Sequence, residues 1–177
     1  ADILASCGAG NAASFTLQVS DGSLTTTATL NVTVAVNTAP TLIYGNASVN
    51  AGASTSNGPT TASDNGSITG YVVQSQGTYT GTISVNASGL VSISAAAPVG
   101  AHTITIRATD NCGATTDANF TLTVGNNLPT ITAGAALSRQ RGTAGTVSTI
   151  ATVSDGETPV GSLVVTATTV PAGITVT

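Results

Sequence analysis

The sequence predicts an all-β chain of tandem β-sandwich units, with one complete unit flanked by two complementary half units, and three observations predict it. Charged residues make up only 6% of the chain and Glu, Lys and Gln are scarce or absent, whereas Val, Ile, Thr, Ser, Asn and Gly abound, which is strand and turn material. Apolar residues alternate with polar ones over short runs, the period of a strand with one face buried. The chain also repeats itself at a fixed spacing, which identifies an array before any single strand is assigned.

In chain order, Phe15, Leu17 and Val19 followed by Leu30, Val32 and Val34 give two alternating strands. Further strands are expected at Leu42–Tyr44, Ile68–Gln74, Thr82–Val85 and Leu90–Ser94, separated by the turns GNAS, SDNG and NASG. His102–Asp110 places Ile104, Ile106 and Ala108 on one face and Thr103, Thr105 and Arg107 on the other. After the turn DNCG, Asn119–Val124 turns Phe120, Leu122 and Val124 inward, completing a hairpin.

The repeat fixes the organisation. TLQVSD at Thr16–Asp21 returns as TIRATD at Thr105–Asp110, and Pro40 of TAPTL returns as Pro129 of NLPTI, both at a separation of 89 residues. Thr69–Asn86 aligns without a gap to Val160–Thr177, matching Gly70 with Gly161, Val73 with Val164, Ile83 with Ile174 and Val85 with Val176. The expected units are therefore 1–37, the second half of a domain; 38–126, a whole domain; and 127–177, the first half of a third. The two halves add up to nearly one domain, so the chain is expected to be an internal or processed segment. Either it is one period of a continuous polymer, or identical chains complete each other head to tail.

Composition excludes several functions. Three cations, Arg107, Arg139 and Arg141, cannot build the positive surface that nucleic acid requires. No apolar run reaches the roughly 18 residues of a membrane span, and the first residues do not read as a signal peptide. Two cysteines, Cys7 and Cys112, are too few for a metal cluster and sit in no Cys-x-x-Cys pair. Without lysine, Lys–Asn crosslinks cannot form.

The stretch Thr78–Val124, TYTGTISVNASGLVSISAAAPVGAHTITIRATDNCGATTDANFTLTV, resembles the immunoglobulin-like and cadherin-like repeats of large bacterial surface proteins, and VPAGITVT at the C-terminus looks like the mid-domain segment of the same family. The resemblance implies Greek-key sandwiches in an extracellular stalk, filament or adhesin. In that topology Cys112 lies in the turn between the last two strands, at the N-terminal end of a domain, and Cys7 in a loop at the C-terminal end of the one before. An inter-domain Cys7–Cys112 bridge follows as an expectation, the alternative being two unpaired thiols. Cadherin-like arrays also stiffen by binding calcium between domains, for which the candidates here are Asp64, Asp110, Asp155 and Glu157; turn formation is the simpler role for each. No other cofactor is implied.

An enzyme is not expected. His102 is the only histidine, no nucleophile elbow or zinc-binding helix motif accompanies it, and a surface or strand-edge position is its simplest reading. The rival to a mechanical role is a glycan- or protein-binding module, for which Tyr44, Tyr71 and Tyr79 are the available aromatic platforms, Tyr71 being partly core. The sequons at Asn31, Asn46 and Asn119 are explained by composition alone in so Asn- and Thr-rich a chain.

Overall fold

The computed structural model describes residues 5–7 and 12–174, so the match of Val85 with Val176 lies outside the described residues. The chain is all-β, and its centre is an immunoglobulin-like sandwich running from Thr41 to Gly125. Strands β1 (Ala12–Ser20) and β2 (Thr25–Thr33) form an antiparallel hairpin ahead of it.

Within the sandwich, β3 (Thr41–Tyr44) is followed by β4 (Ala47–Asn50), β5 (Thr55–Asn57) and β6 (Pro59–Ser63), then β7 (Ile68–Ser75), β8 (Thr82–Val85) and β9 (Val91–Ser94). The long pair β10 (Gly100–Asp110) and β11 (Thr115–Gly125) closes it. One sheet has the order β4-β11-β10-β7, with β4 parallel to β11 and the other pairs antiparallel. The opposing layer consists of the β3–β6 ladder and the sheet β5-β9-β8, continuous through Gly58, the single residue between β5 and β6.

The alternation of β10 has a direct cause: Ile104, Ile106 and Ala108 are fully covered, while Thr105 and Arg107 between them are not. Phe120, Leu122 and Val124 of β11 join them from the same sheet, and Leu42, Tyr44, Val91 and Ile93 meet them from the other. Tyr44 and Phe120 pack with ring centroids 5.5 Å apart. Burial of these side chains is the main stabilising term of the domain.

The structure corrects the sequence reading in three places. GNAS is a turn only at its first two residues, since Ala47 and Ser48 already belong to β4, where they pair with Leu122 and Thr123. His102 is not at the surface; it is 3% exposed on the inward face of β10, two residues before Ile104. Its ring is held at both nitrogens, Nδ1 2.8 Å from the Thr78 hydroxyl and Nε2 2.8 Å from the Pro98 carbonyl. A carbonyl accepts only, so Nε2 carries a proton, and in the neutral ring Nδ1 accepts from Thr78. Tyr44 and Tyr79 are core residues, 6% and 2% exposed, whose hydroxyls donate to the Gly89 and Ser94 carbonyls, so neither can present a ring to a sugar. Burial pushes the Tyr44 phenol up to about 12, so it remains a donor at physiological pH.

Beyond the sandwich, β12 (Thr130–Ala133) pairs antiparallel with β13 (Ala151–Ser154), and a single 3-10 turn covers Val160–Ser162. The aligned counterpart of β7 near residues 159–166 forms no strand. In the central sandwich β7 takes its ladder from β10, and no described strand beside residues 159–166 plays that part.

Candidate functional site

The polar chemistry of this chain collects at the two ends of the central sandwich, where it meets its neighbours. At the first junction Cys7 and Cys112 form a disulfide, their Cα atoms 5.3 Å apart across a sequence separation of 105. Cys112 lies in the turn between β10 and β11, and Cys7 precedes β1, so the bridge ties the first hairpin to the sandwich.

Asp110 organises that turn. It ends the inward face of β10 and is 2% exposed. Its Oδ1 accepts the backbone N–H groups of Cys112 and Ala114, both at 2.8 Å, and its Oδ2 accepts the Asn37 side-chain amide at 2.8 Å. The bond from Asn37, helped by these backbone donors, holds the Asp110 carboxyl below its ordinary value. Asn65 bridges from the other side: its amide donates to the Val36 carbonyl at 2.8 Å while its Oδ1 accepts the Thr38 N–H at 3.3 Å. Asn111 completes the set by accepting the Ser67 N–H at 3.1 Å. The linker 36–38 is thus held by the Asn65 amide and the Asp110 carboxylate of the sandwich, the latter through the linker's own Asn37.

The second junction, at the opposite end of β11, uses the same chemistry. The Asn127 amide donates to the Ala51 carbonyl at 3.0 Å and to Glu157 Oε1 at 2.7 Å. Asp155 Oδ1 accepts the Glu157 and Thr158 N–H groups, which lower its carboxyl from the ordinary value. The four acids expected from the sequence therefore divide between two junctions, Asp64 and Asp110 at one and Asp155 and Glu157 at the other.

These residues do not fit calcium. The ion takes roughly six to eight oxygens, usually including several carboxylates. Asp110 and Asp155 are committed to the hydrogen bonds above, and Asp64 Oδ2 accepts the Gly66 N–H at 2.8 Å. Among the described residues one shielded carboxylate oxygen at each junction has no hydrogen-bond partner, Asp64 Oδ1 and Glu157 Oε2. Among the described residues no three His, Cys, Asp or Glu side chains converge. The side-chain contacts across each junction are made by asparagine amides.

Sequence reasoning missed Asn37, Asn65, Asn111 and Asn127. Position was the available signal, since Asn37 and Asn127 lie in the linkers VNTAP and GNNLP beside the repeated prolines.

A pH dependence follows. Asp110 has a folded value below its unfolded one, so its contribution is complete above the ordinary carboxylate range and is lost as pH falls through the folded value. Asn37→Ala should therefore lower the melting temperature at pH 7, and the gap from the parent should narrow as pH drops below about 4. Thermal unfolding of both proteins at pH 7 and pH 3 checks this; a gap that stays constant would show that the amide acts independently of the carboxylate charge.

No protein-family model matches the chain, and no curated protein matches it. Among solved structures it is similar to a SusE-like surface-located polysaccharide-binding protein from the Bacteroides thetaiotaomicron heparin utilisation locus, with 21% identity and a TM-score of 0.39 over 54% of this chain and 16% of that one. It is also similar to human protocadherin-24 EC1-2, with 12% identity and a TM-score of 0.39 over 66% and 67% of the two chains. For protocadherin gammaB7 EC3-6 the values are 19%, 0.41, 70% and 36%. The chain spans 16% of the length of the first of these.

Proposed function

We propose that this chain is a structural segment of an extracellular bacterial filament, stalk or adhesin, supplying length and stiffness through tandem sandwiches and performing no catalysis. The observation that carries this reading is the first junction, where a disulfide and the contacts of Asn37 and Asn65 fix one repeat against the next. A disulfide across a junction suits an oxidising compartment, which supports an extracellular location. The small charge and the lack of Lys leave the outer faces of the strands to Thr, Ser and Asn, which suits a spacer more than a binding face.

Small-angle scattering of the dilute, monomeric chain tests the reading. The oxidised protein should scatter as one elongated, stiff particle, and reduction should broaden the distribution of its dimensions by freeing the first hairpin. A chain that is equally flexible in both redox states would overturn it.

A further inference from the structure

The sequence contains two Asn-Gly pairs, Asn57-Gly58 and Asn65-Gly66. Asn is a thermally labile residue, and a following glycine exposes it most, because no side chain keeps the glycine's backbone nitrogen away from the amide carbon. The two pairs stand in different settings. Asn57 ends β5, opposite Val91 in the ladder with β9, and its amide donates to the Gly45 carbonyl at 2.8 Å, all within one sandwich. Asn65 lies in the loop between β6 and β7, and its side chain spans the first junction, donating to Val36 and accepting from Thr38.

In the closed junction both reacting groups of the second pair are tied down. The Asn65 amide is bound to the linker through its nitrogen and its oxygen, and the Gly66 N–H donates to Asp64 Oδ2 at 2.8 Å. The glycine is required where it stands, since a Cβ at position 66 would lie 2.5 Å from Asn111 Oδ1, the acceptor of the Ser67 N–H. The hold on the Asn65 amide lasts only while the linker is seated. Asn57 has no such dependence, because Gly45 and β9 stay in place when the linker moves.

We propose that Asn65 is a deamidation site gated by the first junction, its amide protected while the linker 36–38 is seated and converted to a carboxylate once the linker leaves. This rests on the structural-array reading and adds to it an irreversible chemical record of junction opening. With the linker displaced, Asn65 turns its Cγ toward the Gly66 nitrogen. That nitrogen gives its proton to solvent and bonds to Cγ; the Cγ–Nδ2 bond breaks, and Nδ2 takes up a proton and leaves as ammonia. Water then opens the cyclic imide, giving aspartate where it adds at Cγ and isoaspartate where it adds at the main-chain carbonyl carbon. Either product puts a carboxylate where the Val36 carbonyl needs a donor, so the linker loses that bond when it returns.

Ageing the full chain at mildly alkaline pH, oxidised and reduced, followed by peptide mapping with mass spectrometry, tests the gate. Reduction loosens the junction at Cys112, two residues from the linker's anchor Asp110. The peptide holding Asn65 should then show amide-to-acid exchange about tenfold faster, the factor expected when two hydrogen bonds of ordinary net strength no longer hold the amide. Conversion at Asn57 should be slow and equal in both states. Asn37→Ala, which frees the linker from Asp110 with the disulfide intact, should also accelerate Asn65. Asn65→Asp, the product itself, should melt below the parent. Equal rates at Asn65 in the oxidised, reduced and Asn37→Ala chains, or conversion at Asn57 ahead of Asn65, would overturn the proposal. If the rates are equal while reduction still broadens the scattering dimensions, the structural reading stands and only the gate is removed.

Discussion

Pulled by its two ends in the oxidised state, a single chain should release about 350 Å less length than the same chain after reduction, the contour of the 105-residue separation between Cys7 and Cys112 at about 3.3–3.6 Å per residue. The expectation follows from the path of the load. Tension entering at the N-terminus crosses at the disulfide into the turn between β10 and β11, runs along β11 and leaves through Gly125. The β1–β2 hairpin, the linker after it and strands β3 to β10 all lie in the bypassed loop. Strand β11 is already extended, so tension along it gains almost no length. It is also central in its sheet, held by β10 on one side and β4 on the other. Single-molecule pulling with and without reductant measures the difference, and Cys112→Ser should behave as the reduced protein under both conditions. An oxidised chain that releases its full contour would show that the bridge does not carry load.

The parts of this architecture that were legible in the sequence share a cause. Ile104, Ile106 and Ala108 alternate with polar residues because one face of β10 is sealed and the other wet, and β1 carries the same alternation in its sequence although its residues are exposed. Strands β4 to β6 were illegible because their residues are small and polar and only half buried, and because their partners lie far along the chain, as Val49 does from Val124. His102 was misjudged in a related way. Counting by twos outward from Ile104 puts it on the sealed face, but a polar residue reads as exposed until its hydrogen-bond partners are known, and Thr78 lies 24 residues away in a loop. The same count from Leu42 places Tyr44 inside, which removes it as a sugar platform. Asparagines dominate the junctions, and in a chain this rich in Asn only their positions beside the repeated prolines set them apart.

The repeat also sets up a comparison in which one position of the fold is probed in two states of burial. Ile106 and Leu17 occupy the same place in successive units, yet Ile106 is 0% exposed and Leu17 is 54% exposed. Ile106→Ala removes core methylenes and leaves a cavity between the two layers, at a cost of about 3 kcal/mol. In a domain of this size that corresponds to a melting temperature lower by about 15 °C. Leu17→Ala in the dilute, monomeric chain deletes atoms that already meet water, and should change stability by only about 0.5 kcal/mol or less. Calorimetry of both variants against the parent measures the contrast. A Leu17→Ala penalty as large as that of Ile106→Ala would show that the exposed face of β1 carries packing that its accessibility does not reveal.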